Sequence, residues 1–296
     1  MSSLMGMLTT IQSYVWGPPT LLLLIGTGLY FTIKLRGLQI AKFPFAVKTI
    51  FEKENGTGSG EGDVSAFATL CTTMAADIGT GSIVGVATAL RIGGPGSLFW
   101  MWISAILGMV TKYSESLLAV KYRVTDENNQ MAGGPMFYIQ NGMGERFIWL
   151  AKIFSVFGIC TALFGCGTFP QVNAITESVN VTFHIPIIVA GVIITVLTAV
   201  VTIGGIKSIS KVAEIVVPIM ALTFLGGSVV ALVINRAAVP GAFKAIFTCA
   251  FAKESVIGGT AGTGVITFMT VMRTGIARGV YTNEAGLGSS PIVAAA

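Results

Sequence analysis

The stretch SAFATLCTTMAADIGTGSIVGVATAL, residues 65–90, decides how this chain is read. It is apolar and long enough to cross a bilayer, which takes about 20 residues of helix. Asp77 is the one ionisable residue between Val64 and Leu90. A charged Asp at mid-helix costs on the order of 3 kcal/mol on insertion scales, so it is a functional candidate by default. The bland alternative is a packing or capping carboxylate. Asp77 opens the run Asp77-Ile78-Gly79-Thr80-Gly81-Ser82, in which two glycines flank a hydroxyl residue. Each glycine weakens a helix by about 1 kcal/mol, so this stretch opens more readily than its neighbours. An opened helix frees backbone carbonyls for a cation and offers N–H groups of the restarted helix to a carboxylate. The competing reading is helix packing, with Gly81 and Gly85 as a GxxxG pair. This segment alone does not separate the two.

The rest of the chain has the same character. Hydrophobic residues make up 53% and charged residues 10%, against about 25% charged in a soluble domain. Mean hydropathy is +0.81. Such a chain cannot cover a water-facing surface with charge. Glycine, 37 of 296 residues, suits close-packed and broken transmembrane helices. The net charge of +5 does not point to nucleic acid, because the basic residues lie in loops between apolar runs. Cys71, Cys160, Cys166 and Cys249 show no metal-binding spacing and read as free thiols in or beside apolar stretches. His184 reads as an interfacial residue. No cofactor is expected.

Seven stretches are long and apolar enough to span: 14–33, 65–90, 96–119, 150–175, 185–205, 212–234 and 256–277. Their direction follows from lysine and arginine, which collect on the cytoplasmic side. With the N-terminus outside, four of the 18 basic residues fall outside: Arg91, Arg236, Lys244 and Lys253. The other fourteen fall on the cytoplasmic side, in loops or at the adjoining span ends. Residues 42–53 place Phe43, Val47, Ile50 and Phe51 near one face between lysines, the pattern of a short helix lying on the membrane surface. Residues 55–63 (NGTGSGEGD) read as a polar linker. Phe99, Trp100 and Trp102 follow a Gly-Gly-Pro-Gly turn, as an interfacial aromatic belt would.

A second glycine-hydroxyl segment, Gly258-Gly259-Thr260-Ala261-Gly262-Thr263-Gly264, lies in the last span. Counted from 65–90, that span is the sixth, and the charge pattern gives the two opposite directions. Two interrupted helices, five apart and antiparallel, are what an inverted five-helix repeat places at its solute site. Gln171 and Asn173, amides in an apolar run, are further candidates, since an amide can meet an ammonium or a carboxylate. They could equally tie helices together.

The strings TGSIVGVATALRIGGPGSLFWMW, KYRV, GGPMFYI and ARGVYTNEAGLGSSPIVAAA resemble the alanine or glycine:cation symporter family, from about residue 62 to the end. The resemblance implies an all-α membrane protein with a leucine-transporter-like inverted repeat. Residues 1–54 would be an extra spanning helix and the surface helix, and 55–64 the linker. Residues 65–234 would form the complete first repeat. Residues 235–296 would be the start of a second, the chain stopping inside a recognisable motif. The implied activity is sodium-coupled, or sometimes proton-coupled, uptake of alanine, glycine or a close relative across the cell membrane. Gly79, Thr80 and Gly81 would lie in the first broken helix, Gln171 on the third core helix, and 258–264 in the sixth. Within that scheme the Gly79–Ser82 break supplies N–H groups to the substrate carboxylate. Carbonyls near Ala76 and Asp77 face the cation, and Thr260, Gly262 and Thr263 close the other side. Ser82 stands where the family usually has Asn, which bears on the amino acid accepted, and Thr282 stands for a more usual Ser.

Other classes fit less well. An intramembrane aspartyl protease needs two facing carboxylates, and Glu115 sits near a helix end beside Lys112. A serine enzyme needs a base, and His184 lies near a span boundary with no GxSxG nearby. No haem or zinc ligand set is evident. An enzyme is not expected; a channel, a structural membrane protein and an inactive carrier fragment are the remaining rivals.

Overall fold

The computed structural model describes residues 2–51, 63–127, 129–164, 167–252, 254–257 and 264–296. Helices α1 (Ser2–Val15) and α2 (Pro18–Lys34) are followed by the short α3 (Leu38–Ala41) and α4 (Phe43–Phe51). Then come α5 (Ala66–Asp77), α6 (Thr80–Gly93) and α7 (Gly96–Lys121). An antiparallel pair, β1 (Val124–Thr125) and β2 (Met131–Ala132), leads to α8 (Pro135–Met143) and α9 (Ile148–Leu163). Next are α10 (Thr168–Phe183), α11 (Ile187–Ile203), α12 (Gly205–Ile234) and α13 (Val239–Phe251). A second antiparallel pair, β3 (Glu254–Ile257) and β4 (Gly264–Thr267), precedes α14 (Phe268–Asn283) and α15 (Ser290–Ala295).

Five helical runs among the described residues are long and apolar enough to cross a membrane: Leu4–Lys34, Ala66–Gly93, Gly96–Lys121, Glu145–Phe183 and Gly205–Ile234. Ile187–Ile203 and Val239–Phe251 are apolar but shorter. Side chains such as Ile188, at 80% exposure, and Leu222, at 72%, stand outward from these helices. A water-facing surface does not carry so many large apolar groups; lipid does.

The expected span at 150–175 lies within the run Glu145–Phe183, whose described helices are α9 and α10, with Pro170 in the first turn of α10, where a missing N–H costs nothing. The structure corrects two other expectations. The span at 256–277 begins as a strand pair, and its helix starts only at Phe268. Val256, Ile257, Val265, Ile266 and Thr267 are β-branched and flank glycines, a composition that favours extended chain. Residues 239–251, which lie between the expected spans 212–234 and 256–277, form α13, with Pro240 at its start.

The chain divides into two compact units. The first comprises Met1–Lys48, Gly85–Tyr113 and Ser228–Leu287. In it α2, α7 and α14 meet around Leu21, Ile276 and Val280, with Trp16, Leu24, Ile25, Trp100 and Met272 packed against them. Close approach needs small residues: a Cβ on Gly275 would strike the Ser97 carbonyl, and one on Gly28 would lie 2.8 Å from the Leu107 Cβ. The three expected belt residues are part of a clasp on α13. Trp100 Nε1 donates to the Ala250 carbonyl at 3.1 Å. Phe99 stacks edge-on against Phe247 and Phe251, and Trp102 faces Phe243 and Phe247.

The second unit comprises Thr49–Val84, Ser114–Gly227 and Gly288–Ala296. Here α5 lies on α12 through buried Cys71, Ala213 and Val217, with Met74 and Met220 alongside. Helix α12 carries Pro218 in its interior, which offers no N–H to the carbonyl of Glu214. Helices α10 and α11 form a hairpin. His184 closes α10 in the left-handed conformation, φ 56°, and Asn180 Nδ2 donates to the Ile185 carbonyl at 2.9 Å. His184 is thus a helix-capping residue.

Candidate functional site

The expected break in the first core span is present. Helix α5 ends at Asp77, and α6 restarts at Thr80. Between them Ile78 adopts φ −95°, ψ 62°, its N–H still bonded to the Met74 carbonyl. Ser82 explains why the break is narrow. Its hydroxyl donates to the Asp77 carbonyl at 2.6 Å, and its own N–H donates to the Gly79 carbonyl at 3.0 Å. One side chain therefore ties the end of one helix to the start of the next.

The break brings three expected residues together. A Cβ built on Gly79 would lie 3.4 Å from Gln171 Nε2 and 3.6 Å from the Ala76 carbonyl oxygen. The Gln171 amide, on the first turn of α10, therefore faces the bare α-carbon of Gly79. The Ala76 carbonyl borders the same spot. Thr80, Gly81 and Ser82 form the first turn of α6, whose leading N–H groups have no carbonyl four residues back within the helix. Helix N-termini carry partial positive charge and suit carboxylates. Residues 77–82 are half-buried, whereas Ala76 and Gln171 are exposed. One expectation needs qualifying: the Asp77 carbonyl, assigned to a cation, already accepts the Ser82 hydroxyl. The Asp77 side chain holds its Oδ1 buried. Thr260, Gly262 and Thr263 lie outside the described residues, as do Cys166 and most of the 55–63 linker.

Two charged residues matter more than the sequence suggested. Arg278 is one of the fourteen cations that the charge pattern places on the cytoplasmic side. Its guanidinium lies against Gly85 on α6, where a Cβ would meet it, and over the Tyr281 ring, 5.2 Å from the centroid. Asp63 appeared only as the end of a polar linker. It accepts from the Met131 N–H at 2.7 Å and pairs with Lys207 at 3.3 Å. The Met131 amide, then Lys207 and Arg123, hold its carboxyl below the usual carboxylate range, against partial burial that pushes it up. No one-dimensional signal marks either contact, since each joins residues more than 60 positions apart.

Comparison with known proteins bears on this geometry. A family model described as the sodium:alanine symporter family matches residues 1–296. The chain is 51% identical over 289 residues to an uncharacterized transporter of Haemophilus influenzae, covering 98% of this chain and 62% of that protein. It is 43% identical over 292 residues to the sodium/alanine symporter AgcS of Methanococcus maripaludis, covering 98% and 62%. It is 33% identical over 282 residues to a probable sodium/glutamine symporter, GlnT, of Bacillus subtilis, covering 95% and 56%. The chain thus spans about three fifths of the length of these relatives.

Proposed function

Because the chain belongs to the sodium:alanine symporter family, a family of transporters and not of enzymes, we propose that its protein carries a small neutral amino acid across the cell membrane together with a cation. The observation that carries this reading is the break between α5 and α6, with the Gln171 amide against Gly79. A broken helix offers the two things an amino-acid carrier needs at one place, N–H groups for the carboxylate and loose carbonyls for an ion. We take the fold to be the leucine-transporter-like inverted five-helix repeat, with the N-terminus outside the cytoplasm.

In this reading Gly79, Thr80, Gly81 and Ser82 hold the substrate carboxylate, Gln171 contacts the substrate, and Thr260, Gly262 and Thr263 close the far side. The Ala76 carbonyl faces the cation, with Asp77 beside it. Sodium is the coupling ion, in line with the name of the relative AgcS. Small residues around the break restrict the pocket to alanine or glycine.

The test is uptake of labelled alanine and glycine into vesicles holding the full-length protein, with an imposed sodium gradient, a proton gradient or neither. Uptake driven by sodium alone supports the reading, and uptake driven only by protons moves the coupling ion. Equal uptake without any gradient would sink symport. Gly81→Leu in the same vesicles should abolish alanine binding, and retained affinity would refute the placement of the carboxylate. Ser82→Asn, which restores the residue usual in the family and adds bulk, should shift preference from alanine toward glycine, read as the ratio of the two uptake rates.

A further inference from the structure

The first half of the broken helix, α5, is held by contacts that the substrate site does not use. Just before it, Asp63 reaches two elements at once. Its Oδ2 accepts the Met131 N–H at 2.7 Å, on β2. Its Oδ1 lies 3.3 Å from Lys207 Nζ, on the first turn of α12. Asp63 itself is 10% exposed while Lys207 is 57% exposed, so the carboxylate is sheltered and the lysine closes over it from solvent. Arg123 adds positive charge from the start of the hairpin and donates to the Ala295 carbonyl at 3.4 Å. Two residues further on, Ser65 caps α5 by accepting from the Ala68 N–H and donates to Glu214 on α12 at 3.3 Å. Below these polar contacts lies the Cys71, Ala213 and Val217 seam.

We propose that Asp63 is a positioning residue for transport: its carboxylate clasps the β1–β2 hairpin and α12 together, and α5 leaves α12 when that clasp opens. This rests on the carrier reading above, in which the two halves of a broken helix move to expose the site. The chemistry favours a clasp of this kind. The bond from the Met131 N–H to the ionised carboxylate is charge-assisted and stronger than a neutral hydrogen bond, while the pair with the exposed Lys207 is screened by solvent and adds less. The apolar seam beneath has no directional bonds and slides or parts once the polar contacts go.

Cys71 is the reporter. At 2% exposure its thiol faces α12, and it reacts with a membrane-permeant maleimide only when α5 moves away. The experiment uses full-length protein in vesicles with Cys160, Cys166 and Cys249 replaced by serine, along with any cysteine outside this sequence. Asp63→Asn should raise the rate of Cys71 labelling roughly tenfold, about the worth of one charge-assisted hydrogen bond. Lys207→Met should raise it less, and the double variant no further than Asp63→Asn alone, since both act through one contact. Asp63→Glu, which keeps the charge, should label like the parent. Asp63→Asn should also raise the external KM for uptake while leaving maximal rate intact, because outward-facing protein becomes scarcer. Unchanged labelling in Asp63→Asn overturns the proposal. So does equal damage from Asp63→Glu, which would mark a role in packing alone. If the parent shows no gradient-driven uptake but the labelling pattern holds, the carrier reading falls and the clasp stands. If uptake is normal and labelling does not respond, the clasp falls and the carrier reading stands.

Discussion

At the scale of single residues, a glycine matters according to what faces it. Gly275 faces the Ser97 carbonyl and the Trp100 Cβ, neither of which can step aside. Gly275→Ala should cost about 1–3 kcal/mol through overpacking, seen as a lower melting temperature in detergent. Gly85 faces the far end of the Arg278 side chain, which can swing away. Gly85→Ala should stay within about 1 kcal/mol of the parent, and its effect belongs in uptake kinetics. Gln171 stands over Gly79, and loss of its amide removes one polar contact. Gln171→Ala should raise the KM for alanine about tenfold, roughly 1.4 kcal/mol. The sequence made Gly79, Thr80 and Gln171 legible because polar and glycine residues are conspicuous inside apolar runs. Arg278 was not legible, because an arginine near a predicted helix end looks like every other loop cation until its partner across the fold is seen.

At the scale of elements, the break in 65–93 was readable and its width was not. Two glycines and a hydroxyl forecast an opening. That Ser82 closes over the Asp77 carbonyl, keeping the gap to Ile78 and Gly79, depends on a side-chain rotamer that composition does not encode. The β-branched residues around 258–264 were readable as apolar but not as extended, since helix and strand share that vocabulary over short runs. Helix α13 escaped because charge at Lys244 made its region look like a loop. The Asp63 contact carries a pH signature. Its folded carboxyl sits below the usual value of about 3.9, so the stabilisation from its charge is complete above that value. It is lost as pH falls through the lowered one. The fold difference in Cys71 labelling rate between the parent and Asp63→Asn, taken at one pH so that the thiolate fraction cancels, should be the same at pH 5 and pH 8 and shrink only below about pH 4. A difference that already fades between pH 8 and pH 6 would mean that another group holds α5.

At the scale of the molecule, composition and charge were enough for the class, because a bilayer imposes a single strong rule on every span. Direction rests on the lysine and arginine pattern and has its own test. Residues 60 and 253, changed to cysteine in full-length protein, should label from opposite sides of the membrane. Labelling from one side would remove the antiparallel pairing of the two glycine-rich segments. That α5 packs on α12 through Cys71, Ala213 and Val217 was beyond the sequence, since near-uniform apolar helices carry little to tell one neighbour from another. The clasp of Trp100 and Trp102 on α13 brings a practical dividend. Trp100 is edge-on to Phe99, Phe251 and Phe268 with its indole N–H fixed on Ala250. An indole so wedged cannot tumble, so its ultraviolet emission is strongly polarised and its near-ultraviolet dichroism is large. In protein freed of the other tryptophans, that one chromophore reports optically, without any attached dye, whether α13 is seated on α7.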